Sequence, residues 1–172
     1  MACSLLHQPR VLFLDEPTAG IDPVARRELW DLLFEFSSAG MTLFVTTHYM
    51  DEAERCTHVG YIHMSKLIVC GLPDELKLIP EVNPPGTKRW DITCEHVTNG
   101  MQALRHLKGV RNATVFGQSM HLLVDDSLPE QSIRENLNRA GIKEVDIRPI
   151  GPSLEDVFVA LTNNHNKNGD QS

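Results

Sequence analysis

The stretch that decides the fold is Val11-Leu12-Phe13-Leu14-Asp15-Glu16-Pro17-Thr18, in which four apolar residues are followed by two carboxylates. Such an apolar run predicts a buried strand of a parallel sheet that is covered on both faces. In open α/β sheets, ligands bind beyond the carboxyl ends of the strands. The stretch therefore predicts a strand that delivers Asp15 and Glu16 to a ligand site. A strand that simply ends in a solvated turn would show the same pattern.

A helix and a second strand follow this stretch. Apolar residues recur at helical spacing between Leu29 and Phe36, and Ala39-Gly40 is a typical helix stop. Asp22 and Pro23 can open this helix as N-cap and first helical residue. Residues 41–46 predict a second apolar strand, which ends just before His48. A lone histidine at a strand end is more often structural than catalytic, so His48 gains weight only together with the carboxylates.

The middle of the chain predicts a hairpin, a short helix and a linker. Residues 59–70 form two apolar runs with a turn near Ser65, and residues 73–78 predict a short helix. Residues 80–88 contain three prolines and a glycine, which favours a linker. We therefore expect a first domain over residues 1–79 and a boundary at this segment.

The remainder predicts a separate small domain over residues 89–162. Its patterns follow the order strand, helix, strand, strand, helix, strand, which is typical of a ferredoxin-like module. A final helix begins at Ser153, with Asp156 three residues later as a variant capping box. Residues 163–172 are polar and are expected to form a disordered tail.

Composition narrows the functional classes. The 172 residues carry a formal net charge of −7, which disfavours a general nucleic-acid binder. No apolar run approaches the roughly 20 residues that cross a bilayer, and the first residues lack the pattern of a signal peptide. The four cysteines are too scattered for a zinc site or a disulfide framework. We expect a cytoplasmic location.

Several of these motifs, in this order, resemble those of the ATP-binding subunits of ABC transporters, a family of P-loop ATPases. The matching segments are the Walker B motif, the D-loop, the H-loop, the closing hairpin and the "SLEDVF" ending, at residues 11–16, 18–23, 43–48, 61–76 and 153–158 respectively. The ending is similar to that of drug-export and lipid-export relatives. The resemblance implies an α/β fold, in which a partial P-loop NTPase sheet is followed by a small ferredoxin-like α+β domain.

The resemblance also implies roles for four residues. Asp15 would hold Mg²⁺ largely through its water ligands, and Glu16 would act as the general base that polarises the attacking water. His48 would contact the γ-phosphate and orient that water. Asp22, in the D-loop, would belong to the cofactor-binding residues at the interface between two subunits. The cofactors of the complete subunit would be ATP and Mg²⁺.

The implied partners are a second ATP-binding subunit, in a head-to-tail dimer, and membrane-embedded permease subunits. Such an assembly would hold the chain at the cytoplasmic face of a membrane. The chain departs from the family because none of its 11 glycines is followed by lysine, so the phosphate-binding GxxxxGK[ST] motif is missing. The Leu-Ser-Gly-Gly-Gln signature is missing as well. We therefore expect the C-terminal portion of a subunit, which alone binds ATP weakly or not at all and does not hydrolyse it.

Two other functions remain open at this point. The chain could be a non-catalytic module in which residues 89–161 regulate or dimerise a subunit. An ATPase of the DNA-repair or chromosome-maintenance kind would share the Walker B motif, the D-loop and the H-loop. The acidic charge and the Gly71-Leu72-Pro73 ending of the hairpin disfavour this last reading.

Overall fold

A computed structural model describes Leu5 and residues 7–169, with side chains described as far as Asn163. The chain divides into two compact units, and the division falls between Cys56 and Thr57. The model is a mixed α/β structure. Among its described helices, none is long and apolar enough to cross a membrane.

The first unit alternates strands and helices. Its elements are β1 (Val11–Asp15), α1 (Pro23–Ser38), β2 (Thr42–Thr46) and α2 (Met50–Ala53). β1 and β2 pair in parallel, in a register that runs from Val11 opposite Thr42 to Asp15 opposite Thr46. The predicted strand and its parallel partner are therefore present, and both end at the same edge.

The ends of α1 follow the local sequence. The Asp22 carboxylate accepts hydrogen bonds from the backbone N–H groups of Val24 and Ala25, at 2.9 and 3.1 Å. Pro23 occupies the first turn, where its missing N–H costs nothing. The helix ends at Ser38, Ala39 is its C-cap, and Gly40 follows with a φ of +93°. The predicted cap and stop are thus confirmed.

The prediction that β1 is covered on both faces is wrong. Leu12 is buried, but Phe13 is 73% exposed, and Phe44 beside it on β2 is 59% exposed. Their rings lie 5.4 Å apart on the same face. Successive strand residues point to opposite faces, and the two-stranded sheet leaves the Phe13 face bare. An apolar run shows that both faces of a strand are suited to burial. Whether both faces are covered depends on the tertiary structure.

The second unit begins with the predicted hairpin. β3 (Val59–His63) and β4 (Lys66–Gly71) are antiparallel and are followed by α3 (Pro73–Lys77). The turn residues Met64 and Ser65 have φ values of +48° and +59°. Positive φ at both central residues is the geometry that matches the right-handed twist of a two-residue hairpin.

The rest of the second unit is a four-stranded antiparallel sheet with helices. The strands β5 to β8 lie in the spatial order β6-β7-β5-β8. The elements are β5 (Thr87–Cys94), α4 (Val97–Leu104), β6 (Val110–Phe116), β7 (Ser119–Asp125), α5 (Glu130–Arg139), β8 (Val145–Ile150) and α6 (Leu154–Gly169). The predicted order of strands and helices is confirmed. The main hydrophobic core lies between the sheet and the two helices α4 and α5, and includes Ile92, Leu104, Met120, Leu122, Ile133 and Leu137.

The segment 80–88, for which the sequence predicts a linker, belongs to the second compact unit. Val82 is buried, and its carbonyl accepts a hydrogen bond of 2.8 Å from Arg89 Nη2. β5 already begins at Thr87, and the division between the units lies upstream, at residue 56. Val82 is thus a buried residue within a segment that is otherwise exposed or half-buried.

The last helix is longer than predicted. The capping box at its start is confirmed, because Asp156 N–H donates to Ser153 Oγ at 3.2 Å and Ser153 N–H donates to Asp156 Oδ2 at 2.9 Å. The backbone of α6 continues to Gly169, so residues 163–169 are helical where a disordered tail was predicted. A capped and packed first half provides the costly nucleus, after which further turns add easily. Residues 170–172 lie outside the described residues.

Candidate functional site

The candidate site lies at the edge of the first unit where β1 and β2 both end. The register places Thr46 directly opposite Asp15, and the Thr46 hydroxyl donates a short hydrogen bond to Asp15 Oδ1. The backbone N–H of Glu16 is held by the same residue, at 3.0 Å from the Thr46 carbonyl and 3.1 Å from its hydroxyl. Thr46 therefore fixes both carboxylate residues. Sequence reasoning missed it, although its position at the end of the neighbouring parallel strand was a usable signal.

Glu16 has an unusual backbone. Its φ of +41° lies in the left-handed region, which costs a non-glycine residue roughly 1–3 kcal/mol when it is held there. The bonds to Thr46 hold it on one side, and Ala19 N–H donates to the Glu16 carbonyl at 3.0 Å on the other. Strained backbone of this kind concentrates at functional sites, where the surrounding structure enforces it.

The structure brings Glu16 and His48 into contact. Oε1 of Glu16 lies 3.1 Å from Nδ1 of His48, and both side chains are about half exposed. The two residues are far apart in the chain and meet because parallel strands end at a common edge. A carboxylate and an imidazole at this distance, open to solvent, can bind a water molecule and exchange a proton with it.

An aromatic and a cation pack behind the histidine. The ring centroid of Tyr49 lies 4.1 Å from that of His48. Arg26, on α1, places its guanidinium carbon 4.1 Å from the centre of the same tyrosine ring, which is a cation–π contact. The His48 ring is thereby supported on one side by packed side chains.

Asp22 is engaged differently from the other three predicted residues. Its carboxylate is bound to the first backbone N–H groups of α1, and these hydrogen bonds, from Ala25 first and then Val24, lower the pKa of Asp22. The geometry accounts for Asp22 as a helix cap. Asp15, Glu16 and His48 form the connected part of the site.

Glu52 is a buried carboxylate next to the site that sequence reasoning did not single out. It accepts a hydrogen bond of 2.7 Å from the Thr47 hydroxyl, and Arg26 Nε lies 3.5 Å from its other oxygen. Burial acts to raise the pKa of Glu52, but hydrogen bonding from Thr18, Thr47 and Trp30 and the charge of Arg26 together lower it. Thr47 makes a hydrogen bond of 2.7 Å to the carboxylate, whereas the Thr18 hydroxyl and the Trp30 indole N–H are buried near it without a hydrogen-bond partner among the described residues.

The oxygen atoms at the edge suit a hard cation. Mg²⁺ prefers oxygen ligands and usually keeps several of its waters, so one or two protein oxygens suffice to hold it. The exposed Asp15 carboxylate, next to the Thr46 hydroxyl, meets that requirement. In the described part of the chain, no group of three or more His, Cys, Asp or Glu side chains could hold a metal directly.

Comparison with known proteins agrees with this geometry. No protein-family model matches the chain. It is 32% identical to a daunorubicin resistance ATP-binding protein of Streptomyces coeruleorubidus, over 94% of the chain and 51% of that relative. It is 34% identical to the Nod factor export ATP-binding protein I of Sinorhizobium fredii, over 94% of the chain and 44% of the relative. A stretch of 77 residues is 53% identical to a probable multidrug ABC transporter ATP-binding protein of Escherichia coli, covering 45% of the chain and 13% of that protein.

These similarities confirm the resemblance found in the sequence. A chain with a parallel strand pair, carboxylates at its edge and such relatives belongs to the family of ABC-transporter ATP-binding proteins. The chain spans about half the length, or less, of the curated relatives that it matches.

Proposed function

We propose that the chain serves in an ATP-binding subunit of an ABC transporter and supplies the hydrolysis side of its ATPase site. The observation that carries this proposal is the contact between Glu16 and His48, 3.1 Å apart at the carboxyl edge of the parallel strands. The names of the relatives support ATP binding and a role in export or drug resistance.

In this proposal each residue of the edge has one task. Asp15 holds the water shell of Mg²⁺, which when bound neutralises charge on the phosphates of ATP. Glu16 accepts a proton from the attacking water at its carboxylate, and Nδ1 of His48 orients that carboxylate. Nε2 is then the His48 atom available to the γ-phosphate, as a donor when the ring is protonated. Thr46 keeps Asp15 and Glu16 in register.

The proposed partners are a second ATP-binding subunit and membrane-embedded permease subunits, at the cytoplasmic face of a membrane. A head-to-tail dimer would place the segment around Asp22 at the subunit interface. The helix cap that Asp22 forms is compatible with this role, because the cap fixes the start of α1 while Ala19 and Gly20 in the preceding turn remain exposed.

We further propose that residues 89–162 form a ferredoxin-like accessory domain that follows the ATPase portion at residues 1–79. Support comes from the strand order β6-β7-β5-β8, in which all neighbours are antiparallel. This is the order of two interleaved β-α-β units, the arrangement of a split βαβ module. Its own hydrophobic core supports the alternative that these residues act as a regulatory or dimerisation module.

The decisive experiment joins this chain to a phosphate-binding segment. A chimera would join this chain to the upstream part of the Streptomyces relative, which is to be chosen so that it carries the GxxxxGK[ST] motif. We expect the chimera to hydrolyse ATP and Glu16→Gln to lower kcat by roughly 10²- to 10⁴-fold, since a positioned general base contributes about that much.

The control for this chimera is Glu28→Gln, a neutralising change at an exposed position of α1. It should leave kcat unchanged. A folded chimera that binds ATP and hydrolyses it equally well with and without the Glu16 carboxylate would contradict the proposed role.

A further inference from the structure

Glu52 is the most deeply buried acidic side chain of the first unit. It is only 1% exposed, and a buried carboxylate is costly unless hydrogen bonds and a positive charge compensate it. The Thr47 hydroxyl donates to Oε2 at 2.7 Å, and Arg26 Nε stands 3.5 Å from Oε1. The hydroxyl of Thr18 and the indole N–H of Trp30, both buried, complete the surroundings.

These partners come from three separate segments of the chain. Thr18 lies in the turn two residues after Glu16, and Thr47 directly precedes His48. Arg26 and Trp30 lie on α1, which covers the strands. One carboxylate therefore lies between the turn that carries Glu16, the loop that carries His48 and the helix behind them, and it contacts the last two through Thr47 and Arg26.

A second path leads from Glu52 to the His48 ring. Arg26, beside the carboxylate, lies against the Tyr49 ring, and the Tyr49 ring lies against His48, with 4.1 Å for each contact. The Thr47 hydroxyl also accepts a hydrogen bond of 3.1 Å from the backbone N–H of Tyr49. Glu52 is thus linked to Tyr49 in two ways, through Thr47 to its backbone and through Arg26 to its ring, and that ring packs against His48.

We propose that Glu52 is a positioning residue, which holds His48 against Glu16 through Thr47 on one side and through Arg26 and Tyr49 on the other. Its importance for catalysis rests on the proposed function, because only an ATPase site needs this pair aligned. The alignment is made by side chains of this chain alone. It can therefore be tested whether or not the chain hydrolyses ATP.

The test uses nitrogen NMR of the histidine rings in the full 172-residue chain. With ¹⁵N-histidine labelling, long-range proton–nitrogen spectra at mildly alkaline pH distinguish which ring nitrogen carries the proton. His48 is assigned by the loss of its signals in His48→Gln. We expect its proton on Nδ1, donated to Glu16, with two well-separated nitrogen shifts.

Glu52→Gln and Thr47→Val should each move both His48 nitrogen shifts towards the averaged values of a free histidine. Thr47→Ser keeps the hydroxyl and should restore the shifts of the unsubstituted chain. Asp51→Asn, at an exposed position of the same helix, is the matched control and should change nothing.

Thr47→Val decides the matter if Glu52→Gln fails to fold, since it leaves the ion pair with Arg26 in place. Unchanged His48 shifts in folded Thr47→Val would overturn the proposal, as would unchanged shifts in folded Glu52→Gln. A chimera without ATPase activity but with the expected His48 shifts would instead contradict the proposed function and leave the positioning role standing.

Discussion

At the scale of single residues, the sequence predicted which residues belong to the candidate site better than it predicted their contacts. Asp15, Glu16 and His48 were singled out from their positions at strand ends, and the structure places Glu16 and His48 in contact. Thr46 and Glu52 were missed because nothing in their local sequence marks them. Their importance follows from the register of two strands and from the burial of one carboxylate.

The second unit also holds a buried charged group with many partners. Asp156 is bound to Arg89 Nη1 at 2.7 Å, and His121 Nδ1 lies 3.2 Å away. Both members of the Arg89–Asp156 pair are buried. The pair joins β5 to the start of α6, where Asp156 also completes the capping box with Ser153.

Removing one partner of this pair should be strongly destabilising. Asp156→Ala leaves the Arg89 charge buried without compensation and removes a helix cap, so we expect a loss of about 3–5 kcal/mol in the free energy of unfolding. Urea denaturation, followed by circular dichroism, measures this loss. Glu155→Ala, at the exposed neighbouring position, is the control. A loss below about 1 kcal/mol for Asp156→Ala would contradict the prediction.

The same residue sets a pH dependence. Burial acts to raise the pKa of Asp156, but the hydrogen bonds from His121 and Ser153 and the charge of Arg89 lower it below its ordinary value of 3.8. The stability contributed by the ionised carboxylate is thus fully present above that value and is lost as the pH falls through the lower, folded pKa. In Asp156→Asn this part of the acid destabilisation should disappear when the urea midpoints at about pH 5 and about pH 2 are compared.

At the scale of elements, the boundaries were largely predicted because caps and turns are local. The start of α1 at Asp22-Pro23, its end before Gly40 and the capping box of α6 all agree with the sequence. The predictions failed where packing decides. The face of β1 that carries Phe13 is bare, and α6 runs to Gly169.

The exposed face of β1 allows a substitution at Phe13 to be compared with one at a buried residue of the first unit. Phe13→Ala should change the free energy of unfolding by less than about 0.5 kcal/mol, because surface substitutions usually do. Leu33→Ala, in the fully buried row of α1, should cost about 2–5 kcal/mol. Chemical denaturation measures both, followed by tryptophan fluorescence in a Trp90→Phe background that leaves Trp30 as the reporter. Equal losses for the two variants would show that Phe13 is covered in solution.

At the scale of the whole molecule, family membership is recognised from several motifs that follow one another in a fixed order along the chain. Activity requires in addition that all the groups that bind and activate ATP are present. Hydrolysis of ATP is mostly positioning and charge stabilisation of the transferred phosphoryl group. In P-loop proteins, backbone N–H groups of a glycine-rich loop and a lysine supply much of this. The sequence of this chain contains no GxxxxGK[ST] motif.

The isolated chain should therefore bind Mg-ATP weakly or not at all, and it should release no phosphate. Isothermal titration calorimetry measures the affinity, and a phosphate-release assay measures turnover. A micromolar dissociation constant would contradict this expectation. Asp15→Ala would then show whether the binding occurs at the β1–β2 edge, because only binding there should weaken.

The sequence by itself determined the family, the order of the elements and the residues that are proposed to carry the chemistry. These properties depend on patterns within a few neighbouring residues, such as an apolar run before two carboxylates or a serine three positions before an aspartate. The tertiary structure decided which of those residues meet. The Glu16–His48 contact, the support by Thr46 and Glu52, and the exposure of Phe13 depend on register and on the layers that cover each face. Contacts between residues far apart in the chain arise only when the folded backbone brings them together, and for that reason the local pattern could not reveal them.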